Sequence, residues 1–367
     1  MTLTPNLTRL VVGCAAAAYV VLAGCSFFTD KADANSASSS SSNHALPRAV
    51  AHEGLPYRCI GMQIQRVDWM DKYKESIDEI AAVGADTVKF VVDSRQENGS
   101  SSRIYLDLRM TPSAEQLADL IRYAKSKKLR VILMPIVLLD KPRDDEWRGK
   151  IEPESWDTWW ESYREMLGFF AWIAQGNGVD VLVVGSELVS TETKTDEWRE
   201  TIRKVRETFK GKLTYSANWD HYSGIGFWDD LDLIGMNSYW KLGKDNDVTV
   251  EQIKENWKKW HDEVCSFVAK KNKPLMFMEA GWCSMSNAAS EPWDYTTGDP
   301  VDLELQKRLY QGFFETWYGE PLLGGFSIWE WSPGDGKGDN ERGYTPEGKP
   351  AEKVLREWMA KPAWAVK

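Results

Sequence analysis

Eight short apolar runs, each followed by a segment of helical character, fix most of what this chain can become. The runs are "RCIGMQI" (Arg58–Ile64), "ADTVKFVVD" (Ala85–Asp93), "LRVILMPIVLL" (Leu129–Leu139), "VDVLVVG" (Val179–Gly185), "KLTYSAN" (Lys212–Asn218), "LDLIGMNSY" (Leu231–Tyr239), "PLMFMEAG" (Pro274–Gly281) and "GGFSIWEW" (Gly324–Trp331). Several are apolar throughout rather than alternating, as a parallel sheet covered on both faces requires. Between them, Trp156, Trp159, Trp160, Tyr163, Leu167, Phe170 and Ala171 share one helical face, and Ile253, Trp257, Trp260, Val264 and Phe267 share another. "TPSAEQL" reads as a helix start, with Pro112 early and Glu115 near the first turn. Eight strands and eight helical segments over roughly 300 residues predict an α/β fold, a single (β/α)8 barrel, rather than an open doubly wound sheet. No Gly-x-Gly-x-x-Gly pattern follows any strand, which argues against a nucleotide site.

The N-terminal segment belongs to processing rather than to the fold. Arg9 precedes an apolar run from Leu10 to Ala23, and the run ends in Leu22-Ala23-Gly24-Cys25. This "LAGC" is similar to the bacterial lipoprotein box, which implies lipidation of Cys25 and export to a membrane, facing the periplasm or the cell surface. The organisation expected is a signal peptide over 1–25, a flexible tether over 26–55 containing "NSASSSSSN", and a catalytic domain over 56–362. Cys59, Cys265 and Cys283 are the cysteines left beyond the signal, so at most one disulfide can form. A net charge of −10 argues against a nucleic-acid partner, because phosphate binding needs clustered Lys and Arg.

In such a barrel, chemistry sits at the carboxyl ends of the strands. Glu187 ends the fourth run and Glu279 lies at the end of the seventh. A lone glutamate there is readily explained as a partner of the next helix's N-terminus. Two of them facing each other can cleave a glycosidic bond, one protonating the leaving oxygen while the other attacks the anomeric carbon. Trp219, Trp240, Trp282, Trp293, Trp329 and Trp331 lie at or after strand ends, where an indole face can stack on a sugar ring or simply pack the barrel. The histidines are His44, His52, His221 and His261, too few and too scattered for a Ser-His-Asp triad or a multi-histidine zinc site. No metal or organic cofactor is called for.

From Cys59 to Trp358 the chain resembles glycoside hydrolase family 113, retaining (β/α)8 enzymes of clan A known mainly as endo-β-1,4-mannanases. The resemblance is carried by "TPSAEQL", "WRGKIEP", "WDTWWESYREM", "GVDVLVVGSEL", "EWRETIRKVR", "LTYSANWDHY", "FWDDLDLIGMNSYW", "EAGW", "PWDY" and "YTPEGKPAEKVLREW". It implies that Glu187 is the acid/base and Glu279 the nucleophile, with carboxyl groups about 5–5.5 Å apart as retention requires. It implies further that Tyr239 hydrogen-bonds the nucleophile, that Trp329 lies beneath the sugar at the cleavage point, and that Asn218, Trp219 and Asp220 contact substrate; Trp282 joins them as a substrate contact on its place after the seventh run alone.

Three positions depart from the clan pattern. Ser186 stands where Asn usually holds the sugar's 2-hydroxyl, Met134-Pro135-Ile136 replaces a polar run after the third strand, and Asp93, Ser94, Arg95 and Gln96 stand where an aromatic is commoner. The resulting expectation is a monomeric, membrane-anchored hydrolase of β-linked glycans, best matched to β-1,4-mannan or manno-oligosaccharides. The alternative is a catalytically inactive, lipid-anchored glycan-binding protein on the same barrel.

Overall fold

The computed structural model describes residues 54–297, 300–334 and 341–367. The expectations for the signal segment, for Cys25 and for nearly all of the tether concern residues 1–53 and lie outside the described residues. Among the described residues nine strands form one sheet: β1 (Tyr57–Ile64), β2 (Thr87–Gln96), β3 (Ile104–Tyr105), β4 (Arg130–Leu139), β5 (Val181–Ser186), β6 (Lys212–Ala217), β7 (Ile234–Asn237), β8 (Leu275–Ala280) and β9 (Leu323–Ile328). The short β3 lies antiparallel on the end of β2, and every other pairing is parallel. The order β1-β9-β8-β7-β6-β5-β4-β2 closes because β1 also pairs with β2, which gives the eight-stranded (β/α)8 barrel.

Among the described residues seven α-helices wrap the barrel: α1 (Met70–Val83), α2 (Ala114–Ser126), α3 (Trp156–Asn177), α4 (Thr195–Thr208), α5 (Val250–Lys271), α6 (Leu303–Trp317) and α7 (Pro350–Met359). The expected eighth, between β6 and β7, is replaced by two 3-10 turns, Tyr222–Gly224 and Trp228–Asp230. Gly224 and Gly226 interrupt that stretch and weaken any helix there. Buried Tyr222 and Trp228 cover the barrel instead, the indole Nε1 donating to the Tyr222 carbonyl at 2.8 Å. The α2 start is a capping box of Ser113 and Gln116, so Pro112 precedes the cap instead of occupying the first turn, which holds Glu115. No described helix is long and apolar enough to cross a membrane.

Two apolar layers result. Outside the barrel, the α3 stripe stacks Trp159 on Tyr163 at 4.9 Å, and Trp198 of α4 stacks on Phe227 at 5.1 Å. Inside it, Val91, Ile132, Met134, Ile136, Val183 and Met278 fill the axis. β2 and β4 stay paired as far as Gln96 and Leu139, with Asp93 opposite Ile136. Residues 93–96 therefore belong to the strand itself rather than to a loop after it. Ile136 is a buried axis residue. Cys59, Cys265 and Cys283 are all free thiols.

Past β8 the chain runs so close to the end of β9 that a Cβ on Gly281 would sit 1.9 Å from the Trp329 carbonyl oxygen. Trp329 N–H also donates to the Ala280 carbonyl at 3.0 Å, so the two strand ends cannot separate freely. Gly281→Ala should therefore lower the urea midpoint by an amount matching about 1–3 kcal/mol of overpacking. An unchanged midpoint would show that the strand ends separate at no cost.

Candidate active site

Each barrel strand is buried along its length, and charge emerges where the strand stops. β5 ends at Ser186 after its register against β6 slips between Val183 and Ser186. The next residue, Glu187, has φ +54°, the left-handed region that side chains other than glycine seldom adopt. Three contacts hold this turn. Glu187 N–H donates to the Ser216 carbonyl at 2.9 Å, Leu188 N–H donates to the Tyr215 hydroxyl at 2.9 Å, and that hydroxyl donates to Glu192 Oε1 at 2.9 Å.

The Glu187 side chain is 1% exposed. Its Oε1 accepts from Asn237 Nδ2 at 2.8 Å, and its Oε2 pairs with the Arg148 guanidinium from the turn Arg148–Lys150. Asn237 Oδ1 in turn accepts from the Ser216 hydroxyl at 3.0 Å. Asn237 ends β7 directly opposite Glu279 in the β7–β8 register. One amide thus stands beside one glutamate and donates to the other, which brings the ends of β5 and β8 to the same place. Glu279 is buried, and Tyr239 donates its hydroxyl proton to Oε2 at 2.7 Å.

Burial pushes the Glu279 carboxyl above its ordinary range, and the negative Glu187 adds to the push. Lys89, Tyr239 and Arg148 oppose it. Lys89 is fully buried in the barrel, its ammonium donating to the Met278 carbonyl and lying 5.0 Å from the centre of the Trp329 ring. Beyond β9 a further carboxylate, Glu330, accepts from Gln63 Nε2 at 2.8 Å and is pushed up to about 7 by burial, with Glu279 adding to the effect. Gln65 Nε2 spans from Gln63 Oε1 at 2.6 Å to Asp93 Oδ1 at 3.2 Å, and Arg95 pairs with Asp93 at 2.6 Å. Burial raises Asp93 to about 6 despite that pairing. A ladder of polar side chains therefore runs along the ends of β9, β1 and β2.

The residues expected from the sequence separate into groups. Glu187, Glu279 and Tyr239 converge, and Trp329 lies partly buried over Lys89. Ser186 is buried, and its hydroxyl has no hydrogen-bond partner among the described residues. Trp219 is half-buried and stacks on Trp293 at 5.9 Å, while Asn218 and the exposed Asp220 form the turn beside it. Trp282 must be withdrawn as a sugar contact. It is 0% exposed and packs edge-on to Tyr310, and an indole enclosed in the core offers no face to a ligand. Trp240 and Trp331 are core residues for the same reason.

Asn237, Arg148, Lys89, Glu192 and Glu330 were missed. A lone lysine inside "TVKFVV" and an asparagine inside "IGMNSY" were the available signals, since a polar residue in a strand buried on both faces needs a partner.

Two glutamates sharing one amide neighbour at the mouth of a parallel barrel place the chain in the class of glycoside-cleaving (β/α)8 proteins. Comparison with known families narrows that class. The chain belongs to glycoside hydrolase family 113, whose sequence profile matches residues 59–349. A family 113 β-1,4-mannanase solved as a complex superposes with a TM-score of 0.76 at 26% identity, covering 84% of this chain and 100% of its own. The family 113 β-mannanase AaManA from Alicyclobacillus acidocaldarius, in complex with ManMIm, gives 0.75 at 28% identity over 84% of this chain and 98% of its own. A GH5_18 protein from Streptomyces cattleya, in complex with Manβ1-4GlcNAc, shares the fold at a TM-score of 0.55 and 13% identity, covering 84% of this chain and 82% of its own. No curated protein matches the sequence.

Glu192 gives this region a pH signature. Burial raises it from 4.5 to about 7, with the nearby Glu187 charge adding to the shift and the Tyr215 hydrogen bond opposing it. The folded protein then binds the proton more tightly than the unfolded chain, so stability is lost as pH rises from 4.5 through 7. The loss amounts to about 3 kcal/mol when complete. Glu192→Gln keeps an acceptor for Tyr215 and removes the charge, so the drop in Tm between pH 5 and pH 8 should shrink. A variant whose Tm falls as steeply as the wild type would refute this assignment.

Proposed function

We propose that the chain is a retaining glycoside hydrolase acting on β-linked mannan or manno-oligosaccharides by double displacement. The observation that carries this reading is that Asn237 donates to Glu187 and lies opposite Glu279 in the strand register, so both glutamates meet at one point of the mouth. The substrate class is supported by the two β-mannanase structures, matched over nearly their whole length at 26% and 28% identity.

In the first step a Glu279 carboxylate oxygen attacks the anomeric carbon while Glu187 delivers its proton to the departing glycosidic oxygen. The C–O bond breaks and a glycosyl ester on Glu279 forms. In the second step Glu187 takes a proton from water, the water oxygen attacks the same carbon, and the ester bond to Glu279 breaks. The Tyr239 hydroxyl holds the nucleophilic oxygen in place through both steps. Trp329 supplies the platform under the sugar. The Ser186 hydroxyl, buried without a partner, can meet a substrate hydroxyl in place of the clan's Asn. The Arg148 pair on Glu187 must open for protonation, because an ionised carboxylate has no proton to give. Sequence further supports anchoring of the enzyme to a bacterial membrane through a lipid on Cys25.

That ion pair also supports a second reading, a glycan-binding protein whose acid is permanently clamped. Product analysis separates the two. Glu187→Ala should slow hydrolysis of mannan by about 10²–10⁴-fold, yet leave cleavage of an activated aryl β-mannoside much less affected, because that leaving group needs no proton. Glu279→Ala should abolish turnover on both. Wild-type protein that binds manno-oligosaccharides and releases no product would establish the binding module instead.

A further inference from the structure

Three metal-ligating side chains converge on the outside of the barrel, on elements that take no part in the mouth. His261 and Cys265 lie one turn apart on α5 and project to the same side, and Glu320 comes from the loop between α6 and β9. His261 Nε2 is 3.1 Å from Glu320 Oε2 and 3.8 Å from Cys265 Sγ, and all three ligand atoms lie within 4.8 Å of one another. Tetrahedral zinc, with bonds of about 2.0–2.2 Å to nitrogen and oxygen and about 2.3 Å to sulfur, sets its ligand atoms about 3.3–3.6 Å apart. The two measured edges bracket that spacing, and a shift of about 1 Å at the sulfur closes the third.

Two of the three ligands, His261 and Glu320, are also held from behind, as metal ligands are when their orientation is fixed. His261 Nδ1 faces Asp262 Oδ1 at 3.4 Å, its ring packs on Trp317 at 4.7 Å, and Glu320 Oε1 accepts the Leu322 N–H at 3.0 Å. The three residues are half-buried. His261 and Asp262 form part of the wall of a surface depression of about 510 Å³, where Lys254 pairs with Glu315 and Lys258 with Asp262 while Glu251 and Glu255 add further carboxylates, so His261 is reached from solvent.

We propose that His261, Cys265 and Glu320 bind a zinc ion that ties α5 to the loop leading into β9. On binding, Sγ coordinates as the thiolate and Nε2 as the neutral imidazole. Any proton that either atom carries passes to solvent, Glu320 coordinates through its carboxylate, and water takes the fourth position.

The test is a titration of the chelator-stripped protein with Co²⁺ followed by Zn²⁺. One equivalent of Co²⁺ should develop a thiolate-to-cobalt charge-transfer band, and one equivalent of Zn²⁺ should bleach it. Cys265→Ser should lose the band while hydrolysing mannan like the wild type, and Cys283→Ser should keep it. Zinc at a hundredfold excess over its Kd should make unfolding about a hundredfold less favourable, an effect lost in His261→Gln. Should Cys265→Ser fail to fold, Glu320→Gln serves instead and should weaken Co²⁺ binding by about tenfold or more. No band in the wild type, or a band that survives Cys265→Ser or His261→Gln, overturns the proposal. Because the readouts that decide the proposal are spectroscopic and thermal, their failure leaves the glycosidase reading untouched.

Discussion

Closing the sheet on itself leaves the eight barrel strands without an edge, so a polar side chain on any of them must find its partner inside the barrel or at its rim. Asn237 meets that requirement at the mouth. Its carbonyl accepts from Ser216 on one neighbouring strand, and its amide donates to Glu187 beyond that strand. Both ends of the amide are occupied, which fixes its orientation and therefore fixes Glu187 Oε1 relative to β7. Since β7 carries Glu279 as its register partner on the other side, strand pairing brings the two glutamates together, and the turn at Glu187 aims the first of them. A carboxylate pair placed largely by a rigid sheet needs little further ordering before it is aligned.

The same closure concentrates charge that water cannot reach. Glu187, Glu279 and Glu330 lie around a single buried ammonium, Lys89, with Arg148 approaching Glu187 from the rim. Desolvation lowers the Lys89 pKa, and Glu279, Glu330 and Glu187 raise it, in that order of importance. Lys89 in turn lowers both Glu279 and Glu330, so none of these ionisations is independent. Burial is the largest cause at Lys89, Glu279 and Glu330 alike, so each carries a desolvation cost that its neighbours offset only in part. A substrate that displaces water from the mouth would strengthen the coupling further.

The barrel was legible because a strand covered on both faces leaves an uninterrupted apolar run, and eight such runs admit few arrangements. Glu187 and Glu279 were legible because they end those runs. What stayed hidden depends on three-dimensional neighbours. Trp282 follows β8 as Trp329 follows β9, yet one indole turns into the helix layer and the other stays over the barrel axis, and position along the chain does not distinguish them. Arg148 reaches Glu187 across 39 residues and Asn237 reaches it across 50, distances over which periodicity carries no signal. The missing helix between β6 and β7 was hidden differently. The count of eight strand-and-helix units predicts a helix there, and only Gly224 and Gly226, between Tyr222 and Trp228, signal that the backbone does not follow.

The turn at Glu187 connects these levels. A left-handed backbone costs about 1–3 kcal/mol at a residue with a side chain, and the register slip before it gives up regular pairing with β6. Both are tolerated because the turn is tied at successive N–H groups, to the Ser216 carbonyl and to the Tyr215 hydroxyl. Tyr215 accepts there while donating its own hydroxyl proton to Glu192 in the same loop, and that second bond fixes how the hydroxyl is turned. The loop therefore supplies the acceptor that stabilises its own entry. Glu187 is aimed into the mouth because a strand that would otherwise have continued along the barrel wall is bent inward one residue past its end, and the bend is held by a buried carboxylate that contacts neither Asn237 nor Glu279.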